Sequence, residues 1–504
     1  MRSKKAMINF LASVVELIIA TVTSFIVPHY IIHAFGSSVN GLISSITQFL
    51  SYIALIESGI GAIGRTSLYK PLADGDTGML SRNVKALDNF YKKVSYAFIG
   101  YMAVLAVLFP LLVNQEFSWG YTATMIVILA FSTFIQYYFG ITSQTVIQAD
   151  QRKSIPSLLQ ALTLLLNMIF TVVLIRMGAS AHVVKIGSAV AFAIRPVVLY
   201  MYVAKHYSID KKAVPNNDIL KQRWDGLAQH IAYFIHKNTG IAVLTILTNV
   251  KEVSVYSVYM LAVAGCSKVV NVFSSSLEPA FGNMIAKGEK DTLRDRVWLC
   301  STLTVQVAVV LFSTAVIIIT PFIELYTRGV TDANYLRPAF GVVLLIAEAM
   351  YCIRMPYQSV VYAAGHFRQT RNGALGEAAL NIVLSVILVH FFGLIGVAIG
   401  AFVSMVFRTS QYVWYYHVHL LGEREGLKKE LKRIVVSLVE IAGIALFAAL
   451  IPAAPSGSYM GWILGSLGVG VGCSAVVLLV SLVFYRKELR DLAGFMKRVL
   501  KRRK

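Results

Sequence analysis

The chain has 504 residues, of which 57% are hydrophobic and only 14% charged, with a mean hydropathy of +0.67 and a formal charge of +21. Soluble domains carry roughly 25% charged residues, so this composition excludes a soluble globular protein and indicates one made for lipid. A charge of +21 would suit nucleic acid, but here it is concentrated in the links between apolar spans, which excludes that partner.

With about 20 apolar residues per crossing, the chain divides into an expected fourteen spans. The first six run roughly 8–34, 40–64, 94–113, 119–142, 155–177 and 185–204. The next six run roughly 227–249, 253–284, 297–320, 337–364, 373–392 and 395–419, and two more lie near 433–452 and 460–484. Arg2, Lys4 and Lys5 precede an apolar run that reaches about Phe35. That run exceeds the roughly 7–15-residue core of a cleavable signal, so it is expected to be a retained first span.

The links alternate. RTSLYKPLADGD, QADQRKS, KHYSIDKKAVPNND, AKGEKDTLRDR, GHFRQTR, LGEREGLKKELKR and the tail are basic, whereas GSSVNG, NQEFSWG, MGASAH, FGLIG and PAAPSGSY are short and nearly neutral. Of 46 Lys and Arg, about 36 fall at the termini and in the first kind of link. About five lie on or beside the second kind (Arg176, Lys185, Lys251, Arg328, Arg337), and five lie inside spans: Arg195, Lys237, Lys268, Arg354 and Arg408. By the positive-inside rule the span number is even and both termini are expected in the cytoplasm, in a multi-pass protein of the cell (plasma or inner) membrane. Cys266, Cys300, Cys352 and Cys473 all fall in apolar spans without C-x-x-C spacing, so free thiols are expected, with no disulfide frame and no metal site.

The chain repeats itself. LADGDTGML (72–80) matches IAKGEKDTL (285–293) at a shift of 213, and QTVIQADQRK (144–153) matches QSVVYAAGHFR (358–368) at 214–215. NMIFTVVLI (167–175) matches NIVLSVILV (381–389) at 214. IGSAVAFAIRPVVLY (186–200) matches IGAFVSMVFRTSQYV (399–413) at 213, with Arg195 and Arg408 in the same place. Four matches in order at one nearly constant shift indicate a duplication. Six spans per repeat give both halves the same orientation, the layout of parallel-repeat transporters, whose substrate sites lie near the midplane. The expected organisation is an N-lobe over 1–210, a linker over 211–226, a C-lobe over 227–420, two further spans within 421–484 and a basic amphipathic tail over 485–504. In that tail Leu489, Leu492, Phe495, Met496 and Val499 stand among Lys and Arg, as in an interfacial helix on anionic lipid.

The second span and the loop after it, VNGLISSITQFLSYIALIESGIGAIGRTSLYKPLADGD, resemble the start of bacterial polysaccharide flippases. These are similar to multidrug-and-toxin extruders and lipid II flippases within one exporter superfamily. The resemblance extends over nearly the whole chain in span number, six-plus-six repeat and two extra C-terminal spans. It implies an all-α integral membrane fold of about 14 transmembrane helices: two parallel six-helix repeats forming V-shaped lobes, plus two C-terminal helices. The implied cargo is a prenyl-pyrophosphate-linked oligosaccharide, with membrane lipids and glycan-assembly proteins as further partners. The implied energy source is a proton or Na⁺ gradient, with no bound cofactor.

Charges inside spans are the candidate site residues, because each costs about 2.5–3.5 kcal/mol to insert and needs a partner or water. At 1.5 Å per residue, Arg195 is about 14 Å into its span and Arg408 about 20 Å from the outer face. Each either holds phosphate through its planar fork or locks onto a carboxylate of its own lobe, such as Glu57 or Glu278. Lys237 and Lys268 are also deep; in the resembling flippases the first spans of each lobe line the cavity, which would make these two cavity cations. Arg354 completes the set of five, and both it and Glu348, six residues before it, need partners. His230 shares a face with Lys237 and either titrates or packs as a hydrogen-bonded histidine. Glu16 is the first candidate for a coupling carboxylate, while Glu377 and Glu440 are expected to be structural. Asn9, Ser13, Glu16 and Thr23 form one helical face expected to line a cavity. Asn40, Ser44, Thr47, Ser51 and Ser58 form another that either lines a cavity or joins helices.

Three classes remain to be weighed. A lipid-linked glycan flippase wants midplane cations for phosphate. A drug or metabolite cation antiporter of the same fold wants an acidic, aromatic cavity. A membrane enzyme such as a glycan polymerase wants a substantial outer loop with acid/base groups. The outer links have about ten residues or fewer, and no phosphate loop, metal-ligand cluster or nucleophile triad is present, so no catalytic residues are expected.

Overall fold

The computed structural model describes residues 2–57, 60–113, 116–220, 227–275, 278–450, 457–491 and 494, and among them there is no strand. The side chains of Glu57, His230 and Ser58, residues 221–226 of the linker, and most of the amphipathic tail lie outside the described residues.

Helix α1 (Arg2–Leu50) has 49 residues. At 1.5 Å per residue it runs about 74 Å, more than twice a hydrocarbon core of about 30 Å, so it holds two crossings. They divide at Gly36, whose φ of 84° and ψ of 173° are not helical. Only glycine adopts that conformation without strain, and a Cβ there would sit 2.9 Å from Asp332 Oδ2. The same carboxylate accepts hydrogen bonds from the Ser37 amide and hydroxyl, both at 2.7 Å. Gly36→Ala is therefore expected to cost about 1–3 kcal/mol, measurable as a lowered thermal midpoint in detergent.

The second crossing continues through a 3₁₀ turn at Ser51–Ile53 into α2 (Ala54–Glu57) and α3 (Ile60–Asp74). Then follow α4 (Thr77–Leu112), α5 (Trp119–Ile135), α6 (Ile141–Ala149), α7 (Ser154–Arg176), α8 (Ala181–His206), α9 (Leu227–Leu247) and α10 (Val250–Ser275). The remainder is α11 (Glu278–Ala286), α12 (Lys290–Tyr326), α13 (Pro338–Ala363), α14 (Arg371–Phe392), α15 (Leu394–Tyr415), α16 (Glu425–Leu450) and α17 (Tyr459–Phe484). Among the described residues 12 helices are long and apolar enough to cross a membrane, the stretch Met7–Ile56 being one of them. Dividing that stretch at Gly36 and adding the 21-residue α9 recovers the fourteen expected spans. Large apolar side chains stand exposed along them, among them Leu111, Ile434, Leu450 and Leu478, a surface that water would not tolerate and lipid requires.

The duplication is visible in the backbone. Gly75 and Gly288 have φ of 70° and 71° at a spacing of 213. Gln151, the one non-glycine residue with positive φ among those described, has its counterpart in Gly365, 214 later. Helices α4 and α12 begin 213 residues apart, as do α8 and α15.

Contacts divide the chain into two compact units, residues 1–257 with 329–333, and residues 258–328 with 334–504. In the first, α7 packs on α1 and α8, and α4 and α5 close round the π-helical segment 136–140. Helix α9 and the start of α10 belong to this unit and join the second crossing of α1. Asn40 Nδ2 donates to Ser254 Oγ at 2.8 Å, Ser45 and Thr245 hydroxyls meet at 2.7 Å, and Gln48 Nε2 donates to Asn238 Oδ1 at 2.6 Å. Gly41 permits this approach, since a Cβ there would lie 1.7 Å from the Val250 carbonyl oxygen. Lipid offers no hydrophobic drive to helix pairing, so close backbones and small polar residues supply it. In the second unit α13 sits between α12 and α15, α14 lies on α15, and α16 and α17 pack on α12 around Val305, Ile444 and Cys473.

Candidate functional site

The in-span cations separate into different environments. In the second unit, Arg354 on α13 and Arg408 on α15 share one carboxylate, Glu377 on α14. Arg354 Nη1 donates to Glu377 Oε1 at 2.9 Å, and Arg408 Nε lies 3.2 Å from Oε2. All three are buried, at 3%, 1% and 2% exposure. Arg408 also donates to the Thr370 carbonyl at 3.1 Å, the Tyr412 hydroxyl at 2.8 Å and the Gln411 amide oxygen. The two guanidiniums lie over the rings of Tyr351 and Tyr412 at 4.7 and 4.1 Å. These two arginines therefore take the packing role among the alternatives open to them, with Glu377 in place of the expected Glu57 or Glu278. Glu348, whose partner the sequence did not reveal, accepts from Ser267 Oγ at 2.8 Å.

Arg195, the repeat-mate of Arg408, stands differently. On α8 it is half-buried, donating through Nη2 to Gln144 Oε1 of α6 at 2.8 Å. Its Nε is buried and has no hydrogen-bond partner among the described residues. Glu16 of α1 attracts it electrostatically, with no ion pair at contact distance. In the repeat, 214 residues before Glu377 stands Thr163, so the first unit has no carboxylate at the position that pairs with Arg408 in the second. Lys237 is half-buried on α9 in the first unit, and Lys268 is exposed on α10 in the second. Glu278 opens α11 and is half-exposed. The structure thus brings Arg354 and Arg408 together at Glu377 and leaves Arg195 without a carboxylate at contact distance.

The polar stripes resolve in part. Asn9 brackets the turn before α7, its Nδ2 donating to the Gln151 carbonyl and its Oδ1 accepting from the Ser154 amide, both at 2.8 Å. This ties α1 to a loop, contrary to the cavity lining expected of that face. On the second stripe, Asn40 joins helices, while Thr47 and Ser51 line a cavity.

Two features were missed. Arg433 and Glu430 look like rim charges in the link LGEREGLKKELKR, yet they are 4% and 7% exposed. They pair with each other, and Arg433 donates to Ser301 Oγ and Tyr357 Oη, both at 2.7 Å, fixing α16 to α12 and α13. Their i, i+3 spacing in the opposite-charge sense was the available signal. Lys185 looks like a link cation but is 7% exposed inside the first unit.

No protein-family model and no curated protein sequence matches this chain. Solved structures do. The lipid II flippase MurJ in an inward closed conformation superposes with a TM-score of 0.66 at 17% identity, covering 96% of this chain and 99% of that one. An inward-facing multidrug resistance MATE family transporter of the MOP superfamily gives 0.64 at 14% identity, covering 80% and 97%. A eukaryotic MATE transporter gives 0.57 at 13%, covering 94% and 99%. The chain shares with these structures an all-α, multi-pass membrane fold.

Proposed function

We propose that the chain is a flippase that carries a prenyl-pyrophosphate-linked oligosaccharide, a surface polysaccharide repeat unit, from the cytoplasmic to the outer leaflet by alternating access. On this proposal it lies in the cell (plasma or inner) membrane with both termini cytoplasmic. The observation that carries the reading is Arg195: a half-buried guanidinium inside an apolar span, in the unit that lacks Glu377's counterpart, held by a hydrogen bond to Gln144 and by no carboxylate at contact distance. A planar fork with spare donors is what a phosphate oxygen pair needs. Lys237 and Lys268 are the further cations assigned to the headgroup, while Arg354 and Arg408 are occupied within α13–α15. Glu16, already acting on Arg195, is the group assigned to proton or Na⁺ coupling. Its release from Arg195 when an anion arrives would link the two events. The likeness to MATE transporters supports a second reading, a multidrug or metabolite cation antiporter.

Proteoliposomes containing the purified chain separate the two. Translocation of a labelled prenyl-pyrophosphate glycolipid at least about 10-fold above protein-free vesicles, with no gradient-driven movement of a fluorescent organic cation, is the expected result. The reverse pattern establishes the antiporter.

A further inference from the structure

The first unit has a half-open cavity of about 350 Å³ between α1, α5, α7 and α8, lined among others by Thr47, Ser132, Thr133, Asn167, Lys185 and Ser188. Lys185 is 7% exposed. Among the described residues that line the cavity there is no carboxylate, and no described residue forms a hydrogen bond or ion pair with the Lys185 ammonium. A buried charge without a counter-charge is costly unless something supplies one.

The duplication shows that this arrangement is peculiar to one unit. The position matching Lys185, 213 residues later, is Ala398, buried at 1% exposure in close packing. The position matching Asn167 is Asn381, whose amide donates to Ser404 Oγ at 3.1 Å. Asn167, 7% exposed, has a buried Oδ1 with no partner among the described residues. So where the second unit has a buried alanine and a hydrogen-bonded amide, the first has a cavity and, among the described residues, an ammonium without a counter-charge and an amide oxygen without a partner. The remaining polar wall is hydroxyl. The Ser132 and Ser188 hydroxyls donate to the Leu129 and Val184 carbonyls, so the donors at this point are chiefly the Lys185 ammonium and an Asn167 amide that can turn its NH2 inward, and an ammonium beside an amide NH2 selects an anion.

We propose that this cavity is a binding site for a small monovalent inorganic anion, chloride being the abundant candidate, with Lys185 as its counter-ion and Asn167 and the Ser132, Thr133 and Ser188 hydroxyls as its polar wall. The site lies within one unit and does not depend on what the protein transports.

The test is thermal unfolding of the full chain in detergent, followed by tryptophan fluorescence, in 150 mM sodium chloride against sodium gluconate. Chloride is expected to raise the wild-type midpoint by about 2–4 °C, the shift for a site occupied roughly tenfold above its dissociation constant. Lys185→Gln should abolish that difference. Asn167→Asp, which supplies a fixed carboxylate to the same cavity, should abolish it too, while unfolding no lower than wild type in gluconate; this variant carries the test if Lys185→Gln does not fold. No chloride effect in the wild type, or the same effect retained in Asn167→Asp, overturns the proposal. Stabilisation by soluble pyrophosphate alone, with none by chloride, overturns it in favour of a subsite for a polyvalent headgroup.

Discussion

Glu377→Gln is expected to destabilise the second unit by about 3–5 kcal/mol, because it leaves two buried guanidiniums facing each other with no anion between them. Arg354 and Arg408 cannot swing to water: both are almost fully enclosed by α13, α14 and α15. The bonds of Arg408 to the Thr370 carbonyl, Tyr412 and Gln411 are to neutral groups and do not replace the lost charge. A fall of roughly 6–10 °C in the thermal midpoint of that unit would follow, together with loss of the monodisperse peak on size exclusion. The comparison is Asp88→Asn, which removes the ion pair with Lys92 at 2.8 Å, where the side chains are 34% and 24% exposed. A partly solvated pair of that kind contributes about 0–1 kcal/mol, so its midpoint should hardly move. Equal effects from the two variants would show that Glu377 is not the keystone of this cluster.

Arg195→Ala and Arg408→Ala are expected to fail in opposite ways, although the two residues occupy one position of the repeat. Arg408→Ala removes one of the two counter-charges of Glu377, empties a large buried volume and should lower the amount of folded protein. Arg195→Ala removes a side chain held by one hydrogen bond, to Gln144, and should leave expression and midpoint within about 1 kcal/mol of wild type. Its effect should appear in glycolipid translocation, reduced about 10–100-fold if a charge-assisted pair to phosphate worth roughly 1.5–3 kcal/mol is lost. Arg195→Lys should restore only part of the rate, since an ammonium cannot present a bidentate fork. Full translocation by folded Arg195→Ala would remove this residue from the headgroup site and, with it, the main support for the proposed cargo.

The duplication explains how much a reader of the sequence could see. Four weak matches at a shift near 213 correspond to turns of matching φ, such as Gly75 with Gly288, and to helices starting at the same interval. The places where the copies differ carry the specific chemistry: Thr163 against Glu377, and Lys185 against Ala398. Those differences are present in the alignment of the two halves, but their meaning is not. Thr163 is read as a missing partner only once Glu377, its counterpart, is seen to pair with Arg408.

Span number, the all-helical class and the two-fold repeat were decided locally, because about 20 apolar residues in succession must close their own backbone hydrogen bonds in lipid whatever surrounds them. The long stretch Met7–Ile56 was divisible for the same reason, and Gly36 marked where. The fate of each buried charge was decided by helices distant in sequence. Glu377 lies 23 residues from Arg354 and 31 from Arg408, Ser267 lies 81 from Glu348, and Ser301 lies 132 from Arg433. Lys185 and Arg433 read as rim cations from their links, and only the packing of α5 and α7 around one, and of α12 and α13 around the other, showed them to be enclosed. Lipid insertion depends on the composition of one helix, whereas the pairing of a charge depends on which other helix arrives beside it.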